Sequence, residues 1–258
     1  MSSNPLALSR IRVGKLSIDV VDFAGALDAI DRLISAKSGG TVFTPNVDHI
    51  VMAEHDERFR SAYAAAALSL VDGTPVLWAA RLLRTPLPQK ISGSDLVMPL
   101  LRRAAERGYR VYFLGGAPGV ADLAKSKLEA ALPGIQIVGT DASRIDVNVS
   151  SEADEVAERI QRAQPDLVLV ALGAPKQEIW SHTRAERLKP AVLLGVGASL
   201  DFVAGIQKRA PSWMSKVGLE WLYRLAQEPR RLAARYLLRD PEFGLILLRQ
   251  LARGSKSS

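Results

Sequence analysis

Alternating strand and helix signals predict an α/β fold, a mostly parallel sheet with helices on both faces, plus a C-terminal helical basic appendage. Three observations carry this. Several short runs are apolar at every position, as strands covered on both faces are. Helix-period segments separate them as far as residue 206. Beyond it strand signals stop and positive charge accumulates: residues 207–258 hold 11 Lys/Arg against 4 Asp/Glu, while residues 1–206 hold 23 of each sign. The chain therefore divides into an α/β body, 1–206, and an appendage, 207–258.

The expected strands are Thr41–Thr44, Leu68–Val71, Arg110–Leu114, Ile135–Gly139, Leu167–Ala171 and Val192–Val196. Helices are expected near 22–36, 47–66, 75–84, 95–107, 119–132, 151–163 and 176–187. Asp22, Ser94 and Ser151 suit N-caps, and Pro75 and Pro118 suit first helical turns. In the appendage, helices are expected over 212–227, 230–239 and 242–252, separated by Pro229 and Pro241. The final Gly254-Ser255-Lys256-Ser257-Ser258 stretch reads as disordered.

Composition narrows the chemistry. With no cysteine in 258 residues, disulfides, thiolate metal sites and a cysteine nucleophile are excluded together. No uncharged apolar run reaches the roughly 18–20 residues of a spanning helix, and the first residues do not read as a signal peptide. A neutral body with a basic tail points to an anionic partner. Nothing in the body suggests a nucleic-acid groove, which leaves a membrane surface or a phosphate group; a solvated, solubilising end explains the same charge. An undocked tail would expose apolar surface that favours self-association into a homo-oligomer.

Parallel sheets bind ligands beyond the C-terminal ends of their strands, so the loops there matter most. Gly115 and Gly116 open a helix after a strand and can bring backbone N–H groups to a phosphate. Asp141 follows the next strand, where a dinucleotide fold places its ribose-binding acid. A tight turn without a ligand explains the same glycines. Asp72 ends a strand in Asp72-Gly73-Thr74-Pro75. A turn with Thr74 capping the helix explains Gly73, Thr74 and Pro75, but a carboxylate at that rim is also placed to accept a substrate proton. Gln177 and Glu178 fall in a first helical turn, where Gln reads a base edge and Glu accepts from ribose hydroxyls; acids also favour that turn for its dipole. Asp201 follows the Gly195-Val196-Gly197 turn and suits a base or ribose. Arg231 and Arg235 lie four apart on one helix face, among Trp213, Trp221, Tyr223 and Tyr236, a pairing of guanidinium and amphipathic ring suited to phosphates at a membrane interface. No Asp-x-Asp pair and no metal-binding histidine spacing is present, which predicts metal-independent chemistry without a cofactor.

Taken together, Thr44-Pro45-Asn46, Asp72-Gly73-Thr74-Pro75, Ser92-Gly93-Ser94-Asp95-Leu96, Gly173-Ala174-Pro175-Lys176-Gln177-Glu178, Gly195-Val196-Gly197 with Asp201-Phe202, Arg209-Ala210-Pro211 and the stretch from Gly218 to Arg231 resemble the WecG/TagA/CpsF glycosyltransferases over roughly residues 11–240. The resemblance implies a Rossmann-like domain, a UDP-sugar donor, a polyprenyl-diphosphate-linked sugar acceptor at the cytoplasmic face of the membrane, and inversion without a metal. It implies Asp72 as general base, Thr44 and Asn46 lining its pocket, Gln177 and Asp201 on the nucleotide side, and Arg224 and Arg231 engaging the acceptor diphosphate. The transferred sugar stays open among N-acetylmannosamine, its uronic acid and glucose. Lys90 and Ala234-Arg235 depart from the pattern, which expects Arg at the first and two basic residues at the second. A nicotinamide-dependent oxidoreductase, built on the Gly115 turn, and a non-enzymatic membrane-binding module, built on the tail, are the alternatives.

Overall fold

The computed structural model describes residues 6–207, 210, 214, 220–227 and 241–254. An antiparallel hairpin, β1 (Arg10–Val13) and β2 (Leu16–Asp19), precedes the body. Then follow α1 (Phe23–Ser35), β3 (Gly40–Phe43), α2 (Val47–His55), α3 (Glu57–Ala64), β4 (Leu68–Ser69), α4 (Thr74–Leu82), α5 (Gly93–Arg107), β5 (Arg110–Gly115), α6 (Val120–Ala131), β6 (Gln136–Asp141), α7 (Ser150–Ala163), β7 (Leu167–Ala171), α8 (Lys176–Leu188), β8 (Val192–Gly195) and α9 (Ser199–Val203). The appendage contributes α10 (Glu220–Gln227) and α11 (Glu242–Gly254). The expected helix over 230–239 lies outside the described residues, as does most of the start of the one over 212–227.

The body is a six-stranded parallel sheet in the order β4-β3-β8-β7-β5-β6. Side chains alternate between its faces with the period of two that a strand imposes. Val111, Phe113, Leu167, Leu169, Val192 and Leu194 meet α1, α5, α6 and α9 on one face. Tyr112, Leu114, Val168, Val170 and Leu193 meet α7 and α8 on the other. Each fully buried chain of this size stabilises the fold by about 1.5–3 kcal/mol, so losing the inner strands' apolar residues would unmake it.

Local chemistry sets the ends. The Asp22 side chain accepts from the Gly25 N–H and starts α1. The expected single helix over 47–66 is two, because Asp56 leaves the helical conformation and caps α3, accepting from the Phe59 N–H. Four expected start signals fall elsewhere. Ser92, not Ser94, caps α5: its hydroxyl accepts from the Asp95 N–H and donates to the Asp95 carboxylate, a reciprocal pairing closed to Ser94, which has Val97 three residues on. Ser151 is inside α7, whose N-cap Val149 offers no side-chain bond. Pro118 precedes the left-handed Gly119 that caps α6, and Thr74 is already helical behind Gly73.

The hairpin had no clear sequence signal, and it is pinned by polar contacts. Arg10 pairs with buried Asp19 at 2.8 Å and donates to the Ala66 carbonyl, and the Asp19 carboxylate also accepts from the Ser69 N–H. α11 returns to pack on it. Ile246 is buried against the hairpin cluster, the Gln250 amide accepts from the Gly14 N–H at 2.8 Å and donates to the Arg12 carbonyl at 2.8 Å, and Glu242 bonds His55 on α2.

Candidate active site

All six strands run the same way, so the loops after β3, β4, β5, β7 and β8 emerge on one edge. The β3, β4 and β8 loops are knitted together. The Asp72 N–H donates to the Pro45 carbonyl at 2.9 Å, and the Ile91 N–H donates to the Val71 carbonyl at 2.7 Å. The second bond brings the start of α5 over the strand ends. A Cβ on Gly93 would lie 3.3 Å from the Gly195 carbonyl oxygen and 3.5 Å from the Thr44 hydroxyl, so α5 packs closely on the strand ends at this glycine. Thr44 is buried, Asp72 is half-exposed, and Asn46 is half-buried as the N-cap of α2, accepting from the His49 N–H. Thr44, Asn46 and Asp72 thus share one corner of the edge, with the N-terminal turn of α5 beside them.

The residues expected on the donor side separate into two groups. Gln177 and Glu178 open α8 and point inward: both are buried, and the Gln177 amide donates to the Glu178 carboxylate at 2.7 Å while accepting from the Gly197 N–H at 3.1 Å. Asp201 lies on the same β8 loop in the first turn of α9, partly exposed. Gly115 and Gly116 lie farther along, between β5 and β7. A Cβ on Gly115 would meet the Ala171 carbonyl oxygen at 2.6 Å, and the Gly116 N–H is already given to that oxygen at 3.1 Å. α6 then leaves on one face and α8 on the other, a crevice of the kind that receives ligands in such sheets. Asp141 is spoken for: the Arg159 guanidinium bonds it at 2.8 Å and the Ser143 N–H at 2.8 Å. Burial pushes its carboxyl up, but those bonds outweigh burial and hold it below the usual carboxylate range. A ribose-binding role for Asp141 would require breaking that pair.

Beneath Asp72 lies a buried polar group that sequence reasoning missed. Tyr63 on α3 is fully buried, with its hydroxyl 2.7 Å from His49 Nδ1. Burial first, then the nearby Glu178 and Asp72 carboxylates, push the Tyr63 phenol well above its ordinary value and keep it neutral. Burial likewise pushes the Glu178 carboxyl up to about 7, against the Gln177 bond that favours its charged form. An isolated Tyr in an alanine-rich helix gives no signal. The spacing Ser92-x-x-Asp95 is a signal that could have marked the helix start closing this corner, where Ser94 was the expected cap.

Arg224 falls within α10, while Arg231 and Arg235 lie outside the described residues. Among the described residues no helix is long and apolar enough to cross a membrane.

A carboxylate, a hydroxyl and a helix start gather at the open end of a parallel α/β sheet, with glycine turns alongside, where such sheets receive ligands. Comparison with known proteins gives the rest. Residues 11–257 match the glycosyl transferase WecG/TagA/CpsF family, and the chain belongs to it. It is a glycosyltransferase. It is 32% identical over 223 residues to the N-acetylglucosaminyldiphosphoundecaprenol N-acetyl-beta-D-mannosaminyltransferase of Bacillus spizizenii strain W23, covering 86% of this chain and 84% of that protein. It is 33% identical over 217 residues to the enzyme of that name from Bacillus subtilis strain 168, covering 84% and 82%.

Proposed function

We propose that this enzyme transfers N-acetylmannosamine from a UDP-sugar to an N-acetylglucosamine carried on a polyprenyl diphosphate, in the synthesis of a cell-envelope polymer. The gathering of Asp72, Thr44 and the start of α5 at one corner of the strand edge carries the reading. The names of the two Bacillus relatives supply the sugar and the acceptor.

In this reading the acceptor hydroxyl attacks the anomeric carbon from the face opposite the diphosphate. The new glycosidic bond forms as the bond to UDP breaks, and the configuration inverts. Asp72 takes the hydroxyl proton, a contribution of about 10²–10⁴ in rate. Thr44 and Asn46 orient the acceptor beside it. The donor lies along the edge past Gly197, Asp201 and Gln177, toward the Gly115-Gly116 turn. The lack of an Asp-x-Asp pair supports departure of UDP without a metal, its charge met by N–H dipoles and by Arg224, Arg231 and Arg235. The protein works at the cytoplasmic face of the membrane as a peripheral protein. The basic appendage supports that placement, as do Leu245 and Leu248, 54% and 63% exposed on α11 beside Arg249.

The test is UDP release by wild type and Asp72→Asn, using a panel of UDP-sugars and a short-chain lipid-diphosphate N-acetylglucosamine in EDTA. Acceptor-dependent release from UDP-N-acetylmannosamine, lost in the variant, is the expected result. Equal release by the variant removes Asp72 as the base, and release that requires added metal removes the metal-free departure.

A further inference from the structure

Glu178 is fully buried, 0% exposed, so its carboxylate does not face the cleft where a nucleotide would lie. Its Oε1 accepts from Gln177 Nε2 at 2.7 Å, and its Oε2 has no hydrogen-bond partner among the described residues. Burying a carboxyl with one oxygen unpaired is costly, so its retention calls for a role. The neighbour indicates what that is. Gln177 is 5% exposed, its amide lies over Gly195, where an added Cβ would sit 3.1 Å from Nε2, and its Oε1 accepts from the Gly197 N–H at 3.1 Å.

The two ends of a glutamine amide are nearly alike in size, and only their partners decide which faces which way. An ionised carboxylate is acceptor-only. Above about pH 7, where Glu178 is ionised, it therefore requires the NH₂ end of Gln177 and turns the oxygen to the Gly197 N–H. The reversed amide would set oxygen against carboxylate and NH₂ against N–H, losing both bonds. Gly197 is in the left-handed region, φ +52°, and a Cβ there would meet nothing within 4 Å, so its backbone borders open space at the strand edge.

We infer that Glu178 is a positioning residue: by polarising the Gln177 amide it fixes the Gly197 turn, and so shapes the donor side of the site without touching the donor. The donor half of this rests on the reading given under Proposed function, whereas the clamp does not.

The experiment compares full-length wild type, Glu178→Met and Glu178→Gln, each also in a Gln177→Met background. Amide exchange at Gly197, followed by NMR without ligand, reads the clamp. UDP affinity, and the split between kcat and donor KM, read its consequence. Glu178→Met should speed Gly197 exchange by about tenfold, which is what losing one buried hydrogen bond is worth. It should weaken UDP binding and raise donor KM by about tenfold, with kcat within about threefold of wild type. Glu178→Gln, which still offers an oxygen but no longer dictates orientation, should fall between. In the Gln177→Met background the Glu178 change should add nothing, because its only route is through the lost amide. Unchanged Gly197 exchange in a folded Glu178→Met protein would overturn the inference, and so would an undiminished effect in the Gln177→Met background. If Glu178→Met does not fold, Glu178→Gln decides: exchange faster by about threefold supports the clamp, and unchanged exchange refutes it. Wild-type protein that binds no UDP would instead sink the nucleotide reading, while the exchange data still judge the clamp.

Discussion

The two halves of the strand edge contrast. Around β5 and β6, Gly115, Gly116 and Asp141 form what looks like a dinucleotide signature, yet each is accounted for by structure: Gly115 by the close approach of Ala171, Gly116 by the bond to its carbonyl, Asp141 by Arg159. Around β4, β3 and β8 no sequence signature is as tidy. There the structure places a half-exposed carboxylate, a buried hydroxyl, a helix start and a buried acid–amide clamp within one corner. A recognisable spacing shows that a turn is possible. Which polar groups the folded chain gathers at an exposed corner of the sheet shows where chemistry can happen.

The contrast can be broken most directly with paired carboxylates. Asp72→Asn should lower turnover by about 10²–10⁴ while leaving the unfolding midpoint near wild type. Asp141→Asn should do the reverse, leaving turnover per folded molecule within about twofold and lowering stability by roughly 1 kcal/mol, discounted because Arg159 is 43% exposed. Similar kinetic losses in both would erase the distinction.

Glycines sharpen it. Gly115→Ala forces a Cβ against backbone at φ +94° and should cost about 2–4 kcal/mol in chemical denaturation. Gly119→Ala, also at positive φ (+80°) but facing open space, should cost only about 1 kcal/mol. Equal costs would mean that the β5–β7 approach can relax.

The smaller effects are in pH. Glu178 is raised to about 7, so the folded protein holds its proton where the unfolded chain has lost it. Its contribution is therefore present below the ordinary glutamate value and is lost as pH rises through 7. The groups facing it, the Gln177 amide, Asp48 and the neutral Tyr63, do not reverse that sign. Urea denaturation at pH 5.5 and pH 8 should show Glu178→Gln gaining on wild type as pH rises; a gap independent of pH would deny the buried charge. Asp141 runs the other way. Its carboxyl is held low, so its contribution is present above the ordinary aspartate value and fades only as pH falls through the depressed one, and Asp141→Asn should flatten the acid limb of the stability curve.

Much of the sheet was legible because parallel strands buried on both faces are apolar at every position, and Leu167–Ala171 matched its expected bounds. The hairpin was not, since each strand has four residues and Arg10 and Arg12 interrupt the apolar signal. The break at Asp56 was hidden because a capping Asp inside a long helical pattern also reads as a surface residue. Asp72, Thr44 and Asn46 were findable as polar residues at strand ends. Tyr63 was not, because its partners come from α2, α8 and the β4 loop, and no spacing along the chain brings those together.

The seating of α11 on the hairpin has a consequence for how the molecule is made. The Gly14 N–H finds its acceptor 236 positions later, on Gln250. Emerging from a ribosome, the chain presents its hairpin long before α11 and must hold that surface unfinished until Gln250 has been synthesised. Contacts this far apart in sequence are slow to form, and a surface left waiting is open to wrong partners. A nascent chain stalled short of Gln250 would thus differ at the hairpin from one that has passed it, and an antibody or protease directed at residues 10–19 could tell the two apart.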